Sequence, residues 1–116
     1  MHAANIANKQ ELVRNIFRGI YADVEGYQHL SKMLKKQRDL MQRRDVAALQ
    51  QHNSAQMELC EKLLTSSNTR YLNLKALGLS PDANGVETII NKLPDPKKAE
   101  VLSKWQFLLK IAKDSQ

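Results

Sequence analysis

Residues 8–44 read NKQELVRNIFRGIYADVEGYQHLSKMLKKQRDLMQRR, and their spacing decides the fold. No proline interrupts the stretch, and glycine occurs only at Gly19 and Gly26. Val13, Phe17, Ile20, Val24, Tyr27, Leu34 and Met41 recur at spacings that line one face of a helix. Ile16 and Leu30 widen the stripe beyond a two-position seam, as the core of a bundle requires. One helix over this stretch would extend about 55 Å. Gly19 and Gly26 mark either close helix contact or a bend, since each costs about 1 kcal/mol against alanine in a helix interior.

Outward from this stretch, Arg43-Arg44-Asp45-Val46 reads as a stop and a restart, with Asp45 able to cap the next helix. A turn and a gentle kink both fit that boundary. A second helix is expected over 46–77, with a seam of Leu49, Asn53, Gln56, Cys60, Leu63, Ser67, Arg70, Leu74 and Leu77. Several seam residues are polar, which costs stability but sets register and partner choice. A solvated seam fits the sequence equally. Leu59, Leu64, Tyr71 and Leu72 flank it.

Gly78 stops the second helix in the left-handed conformation, with Leu79 supplying the accompanying apolar contact. Ser80-Pro81-Asp82 forms a turn. A short helix then spans 85–92, with Val86, Ile89, Ile90 and Leu93 on its apolar side, and Pro94 ends it. Asp95 and Pro96 open a last helix over 96–113. Val101, Leu102, Trp105, Leu108, Leu109 and Ala112 share one arc of it, while Phe107 and Ile111 project from the far side. A helix apolar on two sides either sits between neighbours or keeps one side for a partner.

The expected fold is therefore all-α. It is an antiparallel helical bundle built on a long two-helix hairpin, with one short and one medium C-terminal helix. A length of 116 residues fits a single domain over 1–116, and a 42% hydrophobic content permits one core. The scarcity of glycine, proline and β-branched runs excludes a strand-rich fold. Residues 1–10 lack the apolar stretch of a signal peptide, and no run is apolar enough to span a bilayer. The expected location is the cytoplasm, where a lone thiol stays reduced. Cys60, among Met57, Leu59, Leu63 and Leu64, reads as a buried structural thiol.

The residues do not assemble a catalytic site, so the chain is not expected to be an enzyme or to need a cofactor. His2, His29 and His52 are scattered and read as surface or capping residues, so no metal site is expected. Cys60 and His52 would stand about 12 Å apart along one helix, too far for a nucleophile and its base. The glycines are isolated, which excludes a phosphate loop and a small-molecule substrate held by one. The net charge is +6, and Lys32, Lys35, Lys36, Arg38, Arg43 and Arg44 gather in one stretch opposed by Asp39. Such a patch suits nucleic acid, an anionic membrane, an acidic protein surface, or simply the negative pole of a helix. Stacking aromatics and helix-turn-helix spacing do not accompany it, so a basic helical nucleic-acid-binding protein stands as an alternative reading. A self-associating scaffold, pairing the polar seam between two copies, is the other alternative.

One cadence runs from Asp45 to Leu109. It includes Asp45-Val46-Ala47-Ala48-Leu49, Cys60-Glu61-Lys62-Leu63, Asn68-Thr69-Arg70-Tyr71, Leu77-Gly78-Leu79, Gly85-Val86, Leu93-Pro94 and Trp105-Gln106-Phe107-Leu108-Leu109. It resembles bacterial flagellar export chaperones of the FlgN type. The resemblance implies a cytoplasmic helical bundle that holds hook-filament junction proteins (the hook-associated FlgK and FlgL) until the flagellar type III export apparatus takes them. It further implies client capture by an amphipathic C-terminal helix, here Leu102, Trp105, Phe107, Leu108, Leu109 and Ile111. Asn68, Arg70, Tyr71, Leu77, Gly78 and Leu79 would carry the structural motif. Family members usually run on past this helix, whereas this sequence ends at Lys113-Asp114-Ser115-Gln116, as a trimmed chain or a short member would.

Overall fold

The structure, a computed structural model, describes residues 2–114, with side chains over 8–113. Four helices follow in order: α1 (His2–Arg43), α2 (Val46–Ala76), α3 (Ala83–Asn91) and α4 (Lys97–Asp114). The first begins earlier than its periodic stripe, and the third begins two residues before the expected 85 because Asp82 caps it. The Asp82 carboxylate accepts from the Asn84 N–H (3.0 Å) and Gly85 N–H (3.4 Å). A hydrogen bond from the Ser80 hydroxyl, followed by these two N–H groups, holds its carboxyl below the usual carboxylate range. The last helix opens without the expected side-chain cap geometry, its first-turn Lys98 N–H donating to the Pro94 carbonyl (2.9 Å).

The boundary at Arg44 is a turn, not a kink. Arg44 adopts a left-handed φ of 57°. Its N–H donates to the Met41 carbonyl, and that of Asp45 reaches the Leu40 carbonyl (3.1 and 3.2 Å). This is the hydrogen-bond pattern of a helix terminated by a left-handed residue, and it recurs after α2. There Gly78 takes φ 75°, while the Gly78 and Leu79 N–H groups bond to the Lys75 and Leu74 carbonyls. Asp45 then caps α2 by accepting from the Ala48 N–H (3.2 Å). An arginine in the left-handed region is strained where glycine is not, by about 1 kcal/mol. Arg44→Gly is therefore expected to raise the unfolding free energy by about that amount in urea titration.

The two long helices run antiparallel. Contacts step from Gln37 with Asn53, through Met33 with His52, to Gly26 against Leu63 and Asp23 with Arg70. Gly26 marks close approach, since a Cβ there would stand 2.8 Å from the Leu63 side chain. Asn53 and Arg70 of the α2 seam find partners on α1, while Gln56 Oε1 is buried without one among the described residues. Gln37 donates to Asn53 (3.2 Å), and His52 Nε2 donates to the Met33 carbonyl (2.6 Å). At Asn53 and Arg70 the seam faces α1 of the same chain. His52 bridges two helices and is neither a surface nor a capping residue, whereas His29 is exposed. The side chain of His2 lies outside the described residues.

Two further expectations fail for one reason. Cys60 and Met41 are exposed, not buried. Each sits just off the strip its partner helix covers, and Leu40 and Leu63 fill those interior positions instead.

One apolar cluster unites all four helices. It contains Ile16, Ile20 and Val24 of α1, Leu74 of α2, Val86, Ile89 and Ile90 of α3, and Val101, Trp105 and Leu108 of α4. Partly buried residues packed on it run from Val13 to Tyr27 on α1 and include Leu77, Leu79, Leu93, Leu102 and Ile111 from the rest of the chain. Leu30, Met33 and Leu40 are buried outside this cluster, where α1 and α2 continue as a two-helix arm. The molecule measures 60 × 29 × 18 Å. Its long axis matches α1, about 63 Å at the usual helical rise.

Candidate protein-binding cleft

Where α4 crosses the hairpin, it leaves a gap against α2 that α3 closes from below. Leu63 and Leu74 of α2, Val86 of α3, and Trp105 and Leu108 of α4 give this cleft an apolar floor. Tyr71 and Leu109 stand at its mouth from opposite helices, 46% and 43% exposed. Its volume is about 320 Å³, room for one or two large side chains. A neighbouring groove carries the apolar surface on past Tyr71 to Leu72 and Pro81.

One ionic pair sits in the wall. Arg70 Nη1 donates to Asp23 Oδ2 at 2.9 Å, with side chains 13% and 5% exposed. The guanidinium also lies 5.6 Å from the Trp105 ring centroid, within cation–π range. Thus α1, α2 and α4 are tied together at one point. Burial, with the Asp23 charge beside it, raises the Tyr27 hydroxyl above the usual phenol range, partly offset by Arg70. Tyr27 therefore presents a neutral hydroxyl to the cleft at physiological pH. The Trp105 indole N–H is buried without a hydrogen-bond partner among the described residues. On the opposite flank of α4, Tyr21 donates to Glu100 Oε1 (2.8 Å), and Lys104 lies over the Tyr21 ring.

The six α4 residues expected to form one binding strip separate. Trp105 and Leu108 are core residues, 5% and 3% exposed, because α4 turns that face onto α1 and α3. Leu102 and Ile111 are half-buried against the same core. Phe107 and Leu109 are exposed, but two residues apart on a helix they point about 200° away from each other. Only Leu109 of that exposed pair lines the cleft. The motif residues also divide. Arg70 forms the buried ion pair, Gly78 and Leu79 terminate α2, Leu77 packs on the core, Asn68 is exposed and Tyr71 guards the mouth. Tyr71 lies beside the seam in the sequence as extra apolar surface, and no local pattern pairs it with Leu109, with which it lines the cleft.

Among the described residues, no three histidine, cysteine or carboxylate side chains gather as a metal site would need. None of the described helices is long and apolar enough to cross a membrane. The fold and the cleft define a helical bundle with an open gap between α2 and α4, apolar at its floor and polar on one wall. The chain matches the family described as FlgN protein over residues 6–116. It belongs to that family, which comprises flagellar export chaperones and not enzymes. No curated protein and no solved structure matches it.

Proposed function

We propose that this chaperone works in the cytoplasm on hook-filament junction proteins of the FlgK and FlgL type. It keeps them unpolymerised and hands them to the flagellar type III export apparatus. The client's amphipathic terminal helix lays its apolar side across the cleft between α2 and α4. The observation that carries this reading is the open cleft itself, with Tyr71 and Leu109 held exposed at its mouth beside a floor that is already packed.

The physics needs no turnover. A client end that cannot fold alone presents apolar anchors at helical spacing, and an apolar groove with a polar rim removes them from water. Each anchor fully buried contributes roughly 1.5–3 kcal/mol. The ion pair in the wall limits the cleft to shapes that leave Arg70 and Asp23 together.

Tyr71→Glu with Leu109→Glu is expected to weaken binding of purified junction proteins at least tenfold, read by calorimetry. Melting should change little, because both side chains already face water. Phe107→Glu, on the other flank of α4, should bind normally. Full binding by the first variant together with failure of the second would place the client elsewhere.

A further inference from the structure

The far end of the α1–α2 hairpin has no part in the cleft. Between Lys32 and Arg44, α1 and the turn carry six cations, all of them exposed. Two carboxylates stand among and beside them. Asp39 is paired with Arg43 at 3.0 Å, and Asp45 is occupied in capping α2. The adjoining half of α2, from Val46 to Met57, contributes no charged residue, so nothing on the neighbouring helix neutralises this surface.

Two large apolar side chains project from the same apex. Met41 is 58% exposed and Val46 is 64% exposed, one on each side of the Arg43-Arg44 turn. The four-helix cluster stops at Tyr27, so the apex stands about 24 Å farther along α1. It is the convex end of a molecule 60 Å long, not a groove. Nucleic acid would use the cations and leave two solvated apolar side chains with no role, and an acidic protein would need a complementary hollow to seat a projecting tip. A bilayer interface uses both, placing cations among anionic headgroups and apolar side chains at the acyl boundary. A convex apex also suits a fluid surface better than a preformed pocket.

We infer that the hairpin tip, through Arg38, Arg43, Arg44 and their neighbouring lysines with Met41 and Val46 as shallow anchors, docks reversibly on anionic lipid bilayers. Each cation near an anionic leaflet strengthens attachment several-fold, and the effect fades as salt shortens the screening length. The molecule would then stand on its tip with the cleft held away from the lipid.

The test is flotation of the full chain with vesicles of phosphatidylcholine alone and of phosphatidylcholine mixed with phosphatidylglycerol. At low salt the bound fraction on the anionic vesicles is expected to exceed that on the neutral ones at least tenfold, and to fall as salt rises. Arg38→Glu with Arg43→Glu should reduce it to the neutral level, with helicity by circular dichroism unchanged. Met41→Ser with Val46→Ser, which keeps every charge, should lose several-fold. Equal binding to both vesicle types, or normal binding by the charge-reversed variant, overturns the proposal. So does an unaffected Met41/Val46 variant combined with equally tight, salt-sensitive binding to DNA or RNA, which would make the tip a general polyanion surface.

Discussion

Arg70→Ala is expected to lower the free energy of unfolding by about 3–5 kcal/mol, the usual cost of stranding one member of a buried ion pair. Its partner is Asp23, at 2.9 Å and 5% exposed, with no other hydrogen-bonding side chain on that carboxylate among those described. Truncation also removes the cation over Trp105, so α4 loses an attachment along with the hairpin. The double replacement Asp23→Leu with Arg70→Met discards both charges and fills the space with apolar atoms. It should recover most of the loss, since a well-packed apolar pair of similar volume commonly matches a buried ionic one. Urea titration followed by far-UV circular dichroism measures all three proteins. A single variant as stable as the double one would show that the pair is solvated and the wall of the cleft is not held by it.

Gly85→Ala should cost about 3 kcal/mol or more, at or beyond the upper end of the overpacking range. A Cβ at residue 85 would lie 1.9 Å from the Ser80 carbonyl oxygen and 3.3 Å from a Leu74 methyl. The carbonyl is not free to retreat, because it accepts from the Asp82 N–H at 2.9 Å inside the turn that caps α3. Relief therefore means shifting α3, and with it Val86, Ile89 and Ile90 in the core. Gly78→Ala is the comparison. That site has no atom within 4 Å of an added Cβ but holds φ at 75°, so it should cost only about 1 kcal/mol. Thermal melting of the two variants gives the order directly, and a larger loss at Gly78 would contradict the close approach at Gly85.

That ordering inverts what the residues suggest when read alone. Gly78 is the visible helix stop, whereas Gly85 marks only the start of a short apolar run. The reason is that a left-handed backbone is a local property announced by local sequence, while the obstruction at Gly85 comes from the capping turn folded back against it. The Arg44 turn is the converse case. Without glycine or proline nearby, the residues left a turn and a kink open, and burial of the seams between α1 and α2 pulls an arginine into a strained conformation to complete the reversal.

The helices, their approximate ends and the pairing of the two long ones are legible in the residues alone, because a 3.6-residue period and its stop signals belong to consecutive residues. Which apolar side chains stay exposed is set by how the helices pack. A step of one residue rotates a position by about 100° around its helix axis, so a small rotation of α4 or α2 exchanges covered for uncovered side chains. That is why Trp105 and Leu108 went into the core, Cys60 came out of it, and Tyr71 met Leu109 across a cleft. Asp23 and Arg70, separated by 47 positions in the chain, meet for the same reason: packing brings their faces together, and no local pattern records it.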